Sequence, residues 1–257
     1  MEDDNLRFRN LRLFNGVMCL LHLIQGILVL YLSNDKTWPI VTTFLRFNPT
    51  TESLELASET VTEIQLAPLI ALFLFLSALF HFYVSVFVYR WYVKNLKKGM
   101  NKARWYEYSL SASLMIWIIA MLAGIYNIGT LIALFTLTAV MNLMGLVMEK
   151  HNQTTEYTDW TSYIIGCVAG FIPWLVIFIS LVSAQTYSGG EVPDFVIWIF
   201  VSIAIFFNLF AINMFLQYKK IGKWSDYLYG EKVYIILSLL AKSALAWQVF
   251  AGTLAPV

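Results

Sequence analysis

The chain has 257 residues, of which 59% are apolar, 16% aromatic and 13% charged, with a formal net charge of +1. No water-soluble domain buries that much apolar surface, so the composition assigns the chain to the multi-pass integral membrane proteins. The balanced charge gives no sign of a nucleic-acid partner, and none is expected. Cys19 and Cys167 both lie inside apolar runs, where packing explains them better than a disulfide or a metal.

The acidic, then basic start MEDDNLRFRN does not read as a cleavable signal, so the first apolar run is expected to remain as a helix. Seven runs reach the length a bilayer core requires: about 11–32, 66–90, 104–126, 130–149, 160–184, 194–218 and 232–254. They predict an all-α membrane protein with a single seven-helix transmembrane domain over residues 1–257. The stretch 108–148 carries no charge yet is too long for one helix, so a tight turn is expected at Tyr126, Asn127, Ile128 and Gly129. A second turn is expected at Ser188, Gly189, Gly190 and Pro193. No internal repeat is visible, which disfavours an inverted-repeat transporter.

Lys and Arg set the orientation. Arg7, Arg9, Arg12, Arg90, Lys94, Lys97, Lys98, Lys102, Arg104, Lys150, Lys219, Lys220, Lys223 and Lys232 lie on the N-terminal side of the spans, and Lys36 and Arg46 on the other. This asymmetry predicts a cytoplasmic N-terminus and an external C-terminus. The long loop 33–65 is then external. Alternation in Thr43–Phe47 and again in Ser53–Leu56, around Asn48-Pro49-Thr50-Thr51, predicts a short β-hairpin between helices 1 and 2. Its apolar edge would pair with a neighbouring subunit or pack on its own helices. Gly166 and Gly170 form a GxxxG that suits a dimer interface or an internal crossing.

Lys242 sits midway along the last span, EKVYIILSLLAKSALAWQVFAGTL, about 15 Å from the boundary marked by Glu231 and Lys232. Snorkelling covers only part of that distance, so the lysine is either paired inside the protein or no longer a free amine. Burial favours the neutral amine, a nucleophile toward carbonyls. His22 lies ten residues past Arg12, His81 nine before Arg90 and Lys242 ten past Lys232, which puts all three in one layer. Ser77 stands one turn from His81, and Ser238 one turn from Lys242. Glu107 lies three residues from Arg104. Three readings are open for it: the third helix starts early with Lys102 and Arg104 snorkelling, the carboxylate is shallower than the amine, or it pairs with Arg104 at a wet helix end. Faces bearing Glu107, Ser111 and Met115, then Met141 and Gly145, then Phe206, Phe210 and Asn213 would line a slot for a flat apolar ligand or simply form core.

Seven helices, a lysine midway along the last and a carboxylate on the third resemble the retinal-binding rhodopsins. The microbial pumps and sensors usually have Asp four residues before the lysine, where this chain has Ser238. Their helix-three Arg and Asp-Thr signature and their helix-six Trp and Tyr-Pro pattern are absent from the corresponding spans, the sixth reading FVSIAIFFNLFAINMF. The chain is more similar to the heliorhodopsins in its Glu107, Tyr108, Ser109, Ser111 and Ser113, its Ser238 to Lys242 spacing, His22 and His81, the inverted orientation and the long first loop. The resemblance implies all-trans retinal bound to Lys242 as a protonated Schiff base with Glu107 as counterion. It places His22, His81, Ser77 and Ser238 in the adjoining proton-accepting cavity, and Tyr108 with the slot residues in the retinal pocket. It further implies a slow-cycling, non-enzymatic photoreceptor, commonly dimeric, in a microbial plasma membrane, with an unidentified signalling partner on the cytoplasmic side. A light-driven transporter is the alternative. A retinal-free metal hydrolase on His22, His81 and Glu107, or a scaffold with a structural Lys242–Glu107 bridge, is a weaker one; no metal is expected.

Overall fold

The computed structural model describes residues 2–187, 189 and 192–256, with side chains from residue 5. The turn expected at Ser188, Gly189, Gly190 and Pro193 therefore lies partly outside the described residues. In chain order the elements are α1 (Glu2–Leu32), β1 (Thr37–Asn48), β2 (Ser53–Gln65), α2 (Leu66–Val86), α3 (Tyr89–Leu96), α4 (Lys102–Leu122), α5 (Ile128–His151), α6 (Thr161–Tyr187), α7 (Asp194–Lys219) and α8 (Tyr227–Val249). A 3₁₀ turn precedes α8 and a π-helical turn follows it. Among the described residues, seven helices are long and apolar enough to cross a bilayer: all except the short α3.

Local chemistry sets the ends. The Asn101, Asn127 and Asp226 side chains accept from the backbone N–H of Arg104, Thr130 and Leu228, capping α4, α5 and α8. Gly124, at φ +86°, turns the chain out of α4. The α4–α5 turn therefore falls at Ala123–Asn127, a little before its expected place. The second span is shorter than expected: α2 stops at Val86 and the chain turns into α3, which buries Tyr92, Asn95 and Leu96 and exposes Trp91 and Lys94. A hydrophobic core, including Phe73, Leu74, Ile116, Ile119, Leu131, Ile177, Ile199 and Leu245, fills the half of the bundle nearest the hairpin. Apolar side chains such as Leu20, Ile24, Val168 and Phe171 point outward, as a lipid environment requires.

The hairpin is present and longer than expected, pairing Thr37 with Gln65 at its base and Asn48 with Ser53 at its tip. Near its base it packs on its own chain. Val41 N donates to Tyr126 O at 2.9 Å, and Asn127 Nδ2 donates to Thr43 Oγ1 at 2.9 Å. The GxxxG serves an internal crossing: a Cβ on Gly170 would lie 2.2 Å from Met141 Sδ, and one on Gly166 3.1 Å from Met144 Cβ, so the glycines let α6 close onto α5.

Candidate functional site

α8 carries Ser238 and Lys242 on one face, and α4 turns Glu107 toward them. Lys242 Nζ donates to Glu107 Oε1 and to Ser238 Oγ, both at 2.8 Å. Ser77 Oγ, from α2, donates to the same Glu107 oxygen at 2.6 Å. The Lys242 and Glu107 side chains are 3% and 6% exposed, so the ions are held by each other and by hydroxyls rather than by water. Of the three readings of Glu107, the geometry selects a helix that starts early, at Lys102, with the carboxylate level with the amine. Arg104 neither snorkels nor pairs with Glu107.

Ser77, Glu107 and Ser238 share a cavity with His81 and Asn15. His81 Nδ1 is hydrogen-bonded to Asn15 Oδ1 at 2.7 Å. The His22 ring stacks on His81 with centroids 5.7 Å apart; it is fully buried, and neither of its nitrogens has a partner among the described residues. The two histidines expected in one layer with Lys242 thus stack on each other, and His81 lines the cavity that Glu107 and Ser238 also line. Among the described residues no group of three His, Cys, Asp or Glu side chains is arranged as metal ligands.

On its other side Lys242 opens into a slot lined by Tyr108, Ser111, Met115, Met141, Asn142, Phe207 and Phe210. A cavity of about 640 Å³, sharing Tyr108, Met141, Asn142, Phe207 and Phe210 with the slot, continues it between α5, α6 and α7 past Trp105, Gly145 and Trp174. This size lies within the usual range for small-molecule sites, roughly 300–1,000 Å³. Gly145 is required there: a Cβ would fall 2.4 Å from Trp105 Cζ3, pushing the indole out of the wall. Ser111 Oγ is buried with no partner among the described residues. Of the expected pocket residues, Phe206 lines neither space. Phe207 does, one helical step away, and Phe206 packs on the hydrophobic core instead. A buried amine beside a slot walled largely by Tyr108, Phe207, Phe210 and methionines fits a conjugated polyene aldehyde.

The heliorhodopsin family model matches residues 11–254. The chain belongs to the heliorhodopsin family. Comparison with curated proteins gave no match. Heliorhodopsins are retinal-binding, light-sensing membrane proteins, and photoreceptors of this kind are generally not enzymes.

This heliorhodopsin also has a second buried ionic cluster that the sequence reading missed. Arg104 is 6% exposed and donates through Nη1 to Glu231 and through Nη2 to Glu149, each of them 1% exposed. Asn101 Nδ2 (2.6 Å) and the Tyr92 hydroxyl (3.1 Å) also donate to Glu231. Trp105 Nε1 (2.7 Å), Asn101 N (2.8 Å) and the Tyr227 hydroxyl (3.1 Å) donate to Glu149. The Tyr234 ring covers the guanidinium at 3.8 Å. The boundary assigned to Glu231 is therefore corrected: α8 begins at Tyr227, and Glu231 lies inside the bundle. Helical phase carried the signal. Glu231, Ser238 and Lys242 fall on one face of α8, Arg104, Glu107 and Ser111 on one face of α4, and Gly145 and Glu149 on one face of α5.

Proposed function

We propose that the protein is a light sensor in which Lys242 Nζ holds all-trans retinal covalently and Glu107 balances the positive charge at that nitrogen. When bound, retinal supplies visible absorption and photoisomerisation. The observation that carries the reading is the Lys242–Glu107 pair, buried and set beside the slot. Ser77 and Ser238 hold the carboxylate and the nitrogen in register. Tyr108, whose ring lies 5.0 Å from Nζ, walls the slot and anchors its hydroxyl on Tyr234 O at 3.1 Å. A proton leaving the nitrogen passes to the cavity holding His81 and Asn15, with His22 behind it, and returns from there.

Sensing is favoured over transport because the buried acids among the described residues, Glu107, Glu149 and Glu231, lie level with Lys242 or toward the N-terminal end of α8. Toward the C-terminal end α8 offers Gln248, bonded to Ser202 at 3.1 Å, and the π-helical turn after it offers Thr253, bonded back to Val249 O at 3.1 Å, among Leu245, Val249 and Leu254. A transport path needs titratable or polar stations on both sides. The charge asymmetry supports a cytoplasmic N-terminus, and the exposed hairpin tip bearing Leu45, Phe47, Leu54 and Leu56 supports a homodimer. Cells expressing the protein with added retinal are expected to show a visible band that hydroxylamine bleaches, and no sustained photocurrent. A steady current under continuous light would replace sensing with transport.

A further inference from the structure

The break between α2 and α3 builds a second site, remote from the slot. A cavity of about 440 Å³ there is lined by Arg12, Phe87, Tyr89, Arg90 and Trp91 together with the intervening backbone. Arg12 donates Nε to Ser85 O, a carbonyl of the last turn of α2, at 2.6 Å, and its guanidinium lies 4.6 Å from the Tyr89 ring centroid. That leaves its Nη groups without a partner among the described residues. Arg90 is exposed and has no hydrogen bond or ion pair there at all. The sequence from Leu66 to Tyr106 contains no acid, so neither α2 nor α3 supplies a counterion, and Lys94 on α3 with Lys97 and Lys98 just after it add positive charge. Beside the two arginines, Phe82, Tyr83, Val86, Phe87 and Trp91 are exposed on the outer face of the bundle. These are side chains suited to acyl chains and to the headgroup boundary.

Two guanidiniums with open donors, at the end of a membrane helix and bordered by lipid-facing aromatics, suit an anion delivered from the bilayer. We propose that this cavity binds the headgroup phosphate of an anionic phospholipid between Arg12 and Arg90, with the acyl chains along Phe87 and Tyr83. A zwitterionic lipid would bring its own ammonium against both arginines and is disfavoured by the same charges.

The test is native mass spectrometry of delipidated protein titrated with phosphatidylglycerol, with phosphatidylcholine of identical chains, or with inorganic phosphate. Wild-type protein is expected to retain phosphatidylglycerol preferentially. Arg90→Gln, which removes no hydrogen bond or ion pair among the described residues, should weaken retention about fivefold, and Arg12→Gln/Arg90→Gln further. Lys36→Gln/Arg46→Gln, the first just before the hairpin and the second within it, should leave retention unchanged. Equal retention of both lipids, unchanged phosphatidylglycerol binding in Arg90→Gln, or displacement of the lipid by millimolar inorganic phosphate would each overturn the assignment. Because Arg90→Gln alone is decisive, a folding defect in the double variant would not rescue the proposal.

Discussion

Replacing Arg104 by leucine is expected to be the most destabilising single change in this protein. The guanidinium is the one cation in contact with Glu149 and Glu231 among the described residues, and all three side chains are nearly fully buried. Removing one partner of a buried ionic cluster costs about 3–5 kcal/mol, because the remaining charges keep their desolvation penalty and lose their attraction. For a chain of this size that corresponds to a fall of roughly 10 °C in the thermal midpoint. Tyr92, Asn101, Trp105 and Tyr227 still donate to the carboxylates, so the fold should survive at low temperature. Arg104→Lys should recover part of the loss, since an ammonium keeps the charge but not the fork that spans two acids. Loss of helical circular dichroism on heating measures the effect. A midpoint for Arg104→Leu within a degree or two of wild type would mean that the cluster contributes nothing to stability.

Glu107→Gln is expected to have the largest effect on the spectrum. It removes the carboxylate that Lys242 Nζ contacts and leaves Ser77 and Ser238, neither of which carries charge. With an unbalanced buried cation costing about 3 kcal/mol, the pH at which the visible band disappears should fall by about 2 units, and the band itself should shift. Glu107→Asp, one methylene shorter, should give a smaller displacement in the same direction. An unchanged band and an unchanged titration in Glu107→Gln would mean that another group balances the nitrogen.

The parts of this molecule that could be read from sequence are those where apolar patterning and a single misplaced charge speak together. Seven runs of bilayer length define seven helices, and Lys242 is conspicuous because nothing else in its run is polar enough to hydrate it. Arg104, Glu149 and Glu231 escaped notice because each lies within a turn of another charge, Lys102, Lys150 or Lys232, and so looks like an interface residue. Only the helical phase they share with Glu107, Gly145 and Lys242 distinguishes them. Phe206 and Phe207 show the reverse limit: in an aromatic run apolar on every side, period alone does not say which ring faces the ligand. The α2–α3 break was illegible for a different reason. It contains no Gly or Pro; the chain turns at Phe87 and Val88, where Arg12 of another helix holds the Ser85 carbonyl. Hairpin length was underestimated because the polar alternation of Ser58–Glu63 pairs with β1 without presenting an apolar face.

Attachment of retinal at Lys242 is tested directly by borohydride reduction of the purified pigment followed by peptide mass spectrometry. The retinyl adduct is expected on the peptide containing Lys242, and Lys242→Ala, though folded, should yield neither adduct nor visible band. An adduct on another lysine, or the same trapped pigment in Lys242→Ala, would contradict the account.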